Sequence, residues 1–286
     1  MDIASQYPWA FSYDGDSPAT NFKTFPRRWN KKKESECFEL ADRISLTSVK
    51  TVETYKKAYP KYAHKFLLTP NVFDEETISR SPVSFSDKLL ILYTGGFGQK
   101  RSPSFFLQSI CDLLDNNPAL GMKIHFVFTG PMTNENRMIF TRYKRPALEH
   151  LGLIPYDQMI KLQQRSHVLV NIDSDIRSSE HSIFFPSKLL EYFAANRRVL
   201  NISNNHSVSW EIVDQASGDN VEFGDSGKLK TTLLTYVHRF NSQESKFFTQ
   251  SNQMKQYEAG YNAKILAAQM TDLFNSTTRA DEAIQQ

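Results

Sequence analysis

Short apolar runs alternate with amphipathic segments along most of the chain, and this alternation is the feature that most restricts its fold. Residues 88–94 contain the continuous apolar run Leu-Leu-Ile-Leu-Tyr, and residues 123–129 are a second, mostly apolar segment of strand length. Residues 103–114 carry apolar side chains at helical spacing. Such runs are typical of strands buried on both faces of a parallel sheet. Strand and helix alternate at about 25 to 35 residues per unit, which predicts an α/β fold with a doubly wound parallel sheet.

The same reasoning predicts the remaining elements. Further strands are expected at residues 147–153, 167–172 and 198–202, and helices at residues 156–164, 187–195, 207–214, 226–240 and 259–274. Before the first apolar run, the sequence predicts a strand at 9–13, a helix at 34–41, a strand at 43–47, a helix capped by Ser48 and a strand at 65–69. Residues 74–87 are polar and are expected to form a linker. We therefore expect a partial second α/β segment at the N-terminus.

Composition narrows the class of protein. The 286 residues are 40% hydrophobic and 23% charged and include 21 Phe and 12 Tyr, which is enough for a sizeable core. Two cysteines, Cys37 and Cys111, cannot form a disulfide framework. No apolar run approaches the ~20 residues of a membrane-spanning helix, and no secretory signal is visible, so we expect a cytoplasmic protein. A net charge of +3 does not indicate nucleic-acid binding.

Parallel sheets of this kind bind ligands at the carboxyl ends of their strands, and residues 94–103 form the first candidate loop there. Gly95 and Gly96 would let the backbone approach a phosphate closely, and Lys100 and Arg101 are suitable donors for a diphosphate. The spacing fits neither the dinucleotide fingerprint nor a P-loop. The alternative is a glycine turn with two solvated basic residues.

The second candidate is the start of the helix at residues 187–195. Pro186 would fix the entry, Ser187 could cap the helix, and free backbone N–H groups around Ser187, Lys188 and Leu189 could hold a phosphate. Glu191, one turn further on, could accept hydrogen bonds from a ribose. The alternative is an ordinary amphipathic helix with Glu191 paired to Lys188 at i, i+3.

Three further features are weaker candidates. The loop at residues 151–156 could support a flat base, or could simply connect two elements. The triplets Asp14-Gly15-Asp16 and Asp173-Ser174-Asp175 could each hold a divalent metal against a diphosphate, although short acidic motifs are common in loops. The histidines lack metal-ligand spacing, and no nucleophile elbow appears.

A basic run could contact an anionic surface such as a membrane leaflet, or could be a solvated face; it comprises Arg27, Arg28, Lys31, Lys32 and Lys33.

Together these segments resemble the donor-binding half of a GT-B glycosyltransferase of glycosyltransferase family 4, over about residues 9 to 275. The most specific segment is Pro-Ser-Lys-Leu-Leu-Glu-Tyr-Phe-Ala-Ala at residues 186–195, which resembles the family's "PSKLxEYLAAG". The other matching segments lie at residues 39–48, 70–74, 93–103 and 151–156.

The resemblance implies a function and a role for each matched position. It implies hexosyl transfer from a UDP- or GDP-sugar to a glycan, lipid or other acceptor, as in polysaccharide biosynthesis, without a bound metal or other cofactor. Arg101 would contact the diphosphate, the backbone at residues 187–189 would hold the phosphates, Glu191 would bind the ribose, and Leu153 and Ile154 would line the base. Arg101 and Glu191 are the expected catalytic residues. The family's paired-glutamate motif has Ile183 at its first position here.

The resemblance also predicts the domain organisation. We expect residues 1–82 to be the remnant of an acceptor-side domain with its linker, residues 83–258 to be a Rossmann-like domain that binds the nucleotide sugar, and residues 259–286 to be a C-terminal helix and tail. A full acceptor domain is expected to be missing, which would make the chain a fragment, a truncated reading frame or a donor-binding subunit that needs a partner chain. A non-catalytic donor-binding subunit is therefore the main alternative function, and a sugar-nucleotide epimerase is a further one.

Overall fold

The structure is a computed structural model that describes residues 25–74, 87–98, 101–175, 183, 185–242 and 252–284, without the side chains of residues 25–31, 252–253 and 276–284. The predicted strand at residues 9–13, most of the predicted linker, Lys100 and the triplet Asp14-Gly15-Asp16 lie outside the described residues. The chain forms two compact units. The first unit comprises residues 1–75, 183–185 and 255–286, and the second comprises residues 76–182 and 186–254.

Helices and strands alternate through the described part of the chain. The α-helices are α1 (Phe25–Leu40), α2 (Val49–Ala58), α3 (Ser104–Asn116), α4 (Asn134–Arg142), α5 (Tyr156–Arg165), α6 (Lys188–Ala194), α7 (Val208–Gln215), α8 (Ser226–Asn241) and α9 (Ala259–Ile284). The strands are β1 (Ile44–Leu46), β2 (Phe66–Leu68), β3 (Leu89–Thr94), β4 (Ile124–Thr129), β5 (Leu148–His150), β6 (Val168–Ile172), β7 (Arg198–Ser203) and β8 (Asp219–Glu222). Short 3-10 helices lie at Pro60–Lys65, Pro118–Met122 and Asn252–Tyr257.

The second unit is built on a six-stranded parallel sheet in the order β5-β4-β3-β6-β7-β8. The order runs outward from β3 in one direction and then restarts at β6 in the other. The strand order therefore reverses between β3 and β6, and in doubly wound sheets ligands bind at this reversal. The predicted α/β class with a doubly wound parallel sheet is confirmed.

Burial explains why the apolar runs form the central strands. Every residue of β3 is buried, so the strand is covered on both faces as its continuous apolar sequence predicts. Leu89, Ile91 and Tyr93 face a core shared with α3 and α8, to which Ile110 of α3 and Leu233 of α8 belong. These contacts fix β3 at the centre of the unit, and its carboxyl end with it.

The first unit contains the smaller α/β segment predicted at the N-terminus. Strands β1 and β2 pair in parallel, and Phe38 packs edge-on against Tyr59 and Phe66 to form a separate aromatic core. The predicted cap is confirmed, because the Ser48 hydroxyl accepts a hydrogen bond from the backbone N–H of Thr51 at 3.0 Å.

Candidate functional site

Glycines bring the carboxyl ends of three neighbouring strands into close contact. The N–H of Gly95 donates to Thr129 O at 2.9 Å, and the N–H of Gly130 donates to Gly152 O at 2.8 Å. Gly95 and Gly130 have φ of +126° and +128°, and a Cβ on Gly130 would lie 2.3 Å from the carbonyl oxygen of Gly95. Gly130 therefore has no room for a side chain, and the backbones that follow β3 and β4 pack directly against each other.

Thr94, the last residue of β3, connects the sheet to two helices. Its backbone N–H donates to the Tyr192 hydroxyl at 3.1 Å, which ties α6 to β3. Its hydroxyl accepts a hydrogen bond from Gln163 Nε2 at 3.2 Å, and the same Gln163 Nε2 lies 3.1 Å from Glu191 Oε2. Fully buried Gln163 therefore holds the Glu191 carboxylate at the end of β3. The sequence did not indicate a role for Gln163.

Lys188 extends from α6 to the same place. Its Nζ lies 4.2 Å from the centroid of the Tyr93 ring and 3.5 Å from Thr94 O. It would be 3.4 Å from a Cβ placed on Gly95. The alternative prediction of a surface ion pair between Lys188 and Glu191 is wrong, because Glu191 accepts from Gln163 and Lys188 points to the end of β3.

The charges around Lys188 come from three parts of the second unit. Burial lowers the pKa of Lys188 well below its usual range, and the positive charge of Arg101 lowers that pKa further. The negative charges of Asp173 and Glu191 act in the opposite direction. Two basic groups thus lie together, and burial disfavours the charge on Lys188, so an anionic ligand would stabilise the protonated lysine.

Arg101 is the second basic group of this cluster. Its Nε is buried and has no hydrogen-bond partner among the described residues. Arg101 also lies beside Tyr93, where burial raises the pKa of the phenol to about 12 although the charge and hydrogen bond of Arg101 act to lower it. The Tyr93 hydroxyl donates to Gly96 O at 3.2 Å, which supports the loop before Arg101.

The start of α6 differs from the sequence prediction. Ser187 has helical backbone angles and its side chain makes no capping hydrogen bond. The N–H of Leu189 donates to Pro186 O at 3.0 Å, so the prediction of a free N–H at Leu189 is wrong. The tight turn at Pro186 uses this donor within the chain. A diphosphate here would depend more on the side chains of Arg101 and Lys188 than on the helix end.

The loop after β5 presents an apolar surface. The Leu153 side chain is 78% exposed, and Ile154 is half-buried. Gly152 turns the chain with φ of +70°. Tyr156, also exposed, has a raised pKa caused first by burial and then by the negative charge of Glu191. Tyr156 is the first residue of α5 and directly follows this loop, so it joins Leu153 and Ile154 as a candidate surface for a flat ring.

Comparison with solved structures shows which known fold this chain is similar to. No family model matches the sequence, and no curated protein does. The sucrose-phosphate synthase of Thermosynechococcus elongatus superposes with a TM-score of 0.63 at 15% identity, over 98% of this chain and 67% of that one. The UDP-forming trehalose-phosphate synthase of Burkholderia vietnamiensis gives 0.59 at 11% identity, over 88% and 64%. Anabaena HepE in complex with UDP gives 0.60 at 14% identity, over 91% and 71%.

The fold is GT-B-like. The structural matches are to GT-B glycosyltransferases of the family 4 type, as the resemblance predicts, and at these identities they establish a likeness of fold. The chain spans about two thirds of the length of the solved structures it matches.

Two further predicted features of the GT-B-like chain concern Ile183 and Asp173. Ile183, at the position of the family's first glutamate, is 2% exposed, and its carbonyl oxygen accepts hydrogen bonds from the hydroxyls of Ser48 at 2.9 Å and Thr51 at 3.1 Å in the first unit. Asp173 accepts from the N–H of Ser174 and from the Ser209 hydroxyl, both within 2.8 Å. Across the described residues no group of three potential metal ligands occurs.

The basic run lies on α1. Lys32 and Lys33 are exposed, and Lys33 Nζ pairs with Glu36 at 2.7 Å. No described helix is both long and apolar enough to cross a bilayer.

Proposed function

We propose that the chain is a glycosyltransferase that binds a UDP- or GDP-sugar at the carboxyl ends of β3 and β6 and transfers its hexosyl group. The observation that carries this proposal is the pair of basic side chains at the strand reversal. Lys188 is half-buried there with a pKa that burial depresses, and Arg101 has a buried Nε without a described partner. A bound diphosphate would give the Arg101 Nε a hydrogen-bond acceptor, and its negative charge would favour the protonated form of Lys188.

In this proposal the remaining site residues bind the other parts of the nucleotide sugar or shape the site around it. Gly95 and Gly96 let the diphosphate approach the backbone, and Pro186 and Ser187 shape the turn beside it. Glu191, held by Gln163, accepts hydrogen bonds from the ribose hydroxyls, and the base lies against Leu153 and Ile154.

Catalysis in this proposal consists of positioning the donor and stabilising the diphosphate as it leaves. Arg101 supplies positive charge to the leaving group, and Glu191 fixes the nucleotide. The HepE structure in complex with UDP supports the choice of nucleotide class by likeness of fold. The acceptor is unassigned, and a partner chain could supply an acceptor domain. The basic run on α1 is proposed to contact an anionic membrane surface.

Titration calorimetry with UDP and with GDP tests the proposal. The wild-type chain should bind one of them, and Arg101→Ala and Glu191→Ala should each abolish binding. Arg137→Ala and Glu135→Ala, at sites on α4, are matched controls that should bind as the wild type does. A folded wild-type sample that binds neither nucleotide would contradict the proposal.

The second candidate function is a non-catalytic donor-binding subunit. It is favoured by Ile183, because the family's first glutamate is replaced there by a buried apolar residue that cannot act as an acid, a base or a charged ligand. Incubation with UDP-glucose and GDP-mannose separates the two candidates. Hydrolysis or transfer by the isolated chain excludes the non-catalytic subunit, and nucleotide binding without hydrolysis of either sugar donor favours it. Formation of an epimeric UDP-sugar would instead indicate an epimerase.

A further inference from the structure

A second cleft lies along the same edge of the parallel sheet, beyond the cluster around Lys188. It has a volume of about 460 Å³ and is bordered by residues that follow β6, β7 and β8 and by the first turn of α3. This volume falls within the range of small-molecule sites. Its walls include Phe105, Asp175, Asn204, His206, Glu222 and Phe223.

Two aromatic rings form the apolar wall of the cleft. The centroids of Phe105 and Phe223 lie 6.3 Å apart, and the ring planes meet at 62° in an edge-to-face contact. Both side chains are half-buried, so each is anchored in the protein while part of its surface remains open. Phe223 also packs against the main core of the second unit. Fixed, partly open aromatic faces of this kind suit the C–H face of a sugar ring.

Hydrogen-bond acceptors form the other wall. Asp175 and Glu222 are both exposed, and each carboxylate can accept hydrogen bonds from two hydroxyl groups. Asn204 and His206 add an amide and an imidazole to the same cleft. A polyhydroxylated ligand would donate hydrogen bonds to both carboxylates at once, whereas an apolar ligand would donate none.

The electrostatics of the cleft favour a neutral ligand. The two carboxylates disfavour phosphate groups, and three helix N-termini oppose the accumulation of cations. Phe105 lies in the first turn of α3, His206 lies just before α7, and Gly224 lies just before α8. The partial positive charge of roughly half a unit at each helix start offsets only part of the two carboxylate charges, so the cleft keeps a small net negative charge.

We propose that this cleft binds a neutral sugar unit, with its ring against Phe223 and its hydroxyls donating to Asp175 and Glu222. This inference goes beyond the proposed nucleotide site, because it assigns a separate carbohydrate site to the ends of β6, β7 and β8. It holds whether or not the chain binds a nucleotide.

Saturation-transfer NMR and titration with methyl α-D-glucopyranoside, without any nucleotide, test the proposal. The neutral sugar should bind saturably, and glucose 6-phosphate should bind about tenfold more weakly because its phosphate meets the carboxylates. Phe223→Ala and Glu222→Gln should each weaken binding of the neutral sugar by about tenfold. Glu222 is exposed, so Glu222→Gln tests the site even if Phe223→Ala perturbs the fold.

Matched controls lie elsewhere on the chain. Phe274→Ala removes an exposed aromatic ring from α9, and Glu135→Gln removes an exposed carboxylate from α4; both should leave sugar binding unchanged. Glu191→Ala should also leave it unchanged, which distinguishes this cleft from the nucleotide site. Absence of saturable binding by the wild-type chain, or equal affinity in the wild type and Glu222→Gln, would overturn the proposal.

Discussion

Gly130 shows how closely single residues determine the shape of the candidate site. Its φ of +128° is unfavourable for other residues, and a Cβ there would also overlap the backbone of Gly95 at the end of β3. Gly224 has a similarly positive φ of +90° but has open space where a Cβ would lie. The two positions therefore share backbone strain and differ in steric room.

Gly130→Ala should consequently be more destabilising than Gly224→Ala. The strain of a positive φ costs about 1–2 kcal/mol in either variant, and overlap with Gly95 should add about 1–3 kcal/mol for Gly130→Ala alone. Urea unfolding of both variants measures the difference. Equal losses of unfolding free energy would show that the end of β3 moves away from the added methyl at little cost.

His167 gives a second prediction for a single residue. It is buried, and its Nδ1 accepts a hydrogen bond from the backbone N–H of Leu90 at 3.1 Å. Burial, and then the charge of Arg197, lower the pKa of His167 to about 4. Because this pKa is below the ordinary 6.5, the buried neutral histidine contributes its full stabilisation of the folded state above about pH 6.5. The stabilisation is lost as the pH falls from about 6.5 toward 4.

Across that pH range, His167 alone should make the unfolding free energy change by up to ~1.4 kcal/mol per pH unit. His167→Asn keeps a hydrogen-bond acceptor but cannot titrate, so its unfolding free energy should depend less steeply on pH. His64→Asn replaces an exposed histidine and serves as the control. Urea titrations at several pH values provide the comparison, and parallel curves for His167→Asn and the wild type would refute the assignment.

The site residues show what could be predicted from sequence at this scale. Spacing placed Lys188 and Glu191 one turn apart on α6, and their helix is where it was predicted. Spacing within a helix reports only local neighbours, and it therefore suggested an ion pair between the two. The true partners, Thr94 and Gln163, lie on β3 and α5, and they become neighbours only when the sheet is assembled.

At the scale of elements, one ionic contact ties β7, β8 and α8 together. Arg198 of β7 donates two hydrogen bonds to Asp219 of β8, at 2.7 and 2.8 Å, and the Tyr236 hydroxyl of α8 donates to the same carboxylate. The three groups are largely buried, and although burial opposes ionisation, these partners keep the pKa of Asp219 below its usual range. The last strand of the sheet is thus held by charge as well as by backbone hydrogen bonds.

Asp219→Asn should destabilise the protein by about 3–5 kcal/mol, because it leaves the Arg198 charge without its partner in a poorly solvated place. Asp115→Asn is a matched control, since Asp115 also binds an arginine, Arg145, through two hydrogen bonds but on the surface. That variant should lose no more than about 1 kcal/mol. Similar urea midpoints for the two variants would contradict this difference.

Elements differed in how well the sequence predicted them. The strands β3 and β4 were predicted because a strand covered on both faces is apolar along most of its length: β3 is buried at every residue, and β4 is buried except at half-buried His125. Strand β8 was not predicted, since Asp-Asn-Val-Glu has one buried apolar residue and lies at the sheet edge. Helix α4 was missed because it lacks a clear apolar stripe and has only Asn136 buried.

At the scale of the whole molecule, the strand reversal between β3 and β6 gathers groups that are distant in the sequence. Arg101, Gln163 and Glu191 come from three different loops or helices, yet they act on the same end of β3. A ligand bound there would contact several elements and should stabilise the folded state by mass action.

UDP at about one hundred times its dissociation constant should therefore stabilise the fold by ~2.7 kcal/mol and raise the thermal midpoint by several degrees. If GDP is the nucleotide that calorimetry detects, it replaces UDP in the same experiment. Glu191→Ala should show no shift, and Glu135→Ala should shift as the wild type does. Thermal unfolding followed by circular dichroism measures all three. An equal rise in Glu191→Ala would remove Glu191 from the nucleotide site.

The short outer strands of the six-stranded sheet affect how copies of this protein behave in concentrated solution. Strand β5 has three residues, and β8 has four, two of which carry carboxylates. The unpaired backbone N–H and C=O groups of an exposed edge strand can pair with a strand of another chain, and short or charged edge strands make this pairing less favourable. The same polar sequence that prevented the prediction of β8 thus protects the sheet against edge-to-edge aggregation.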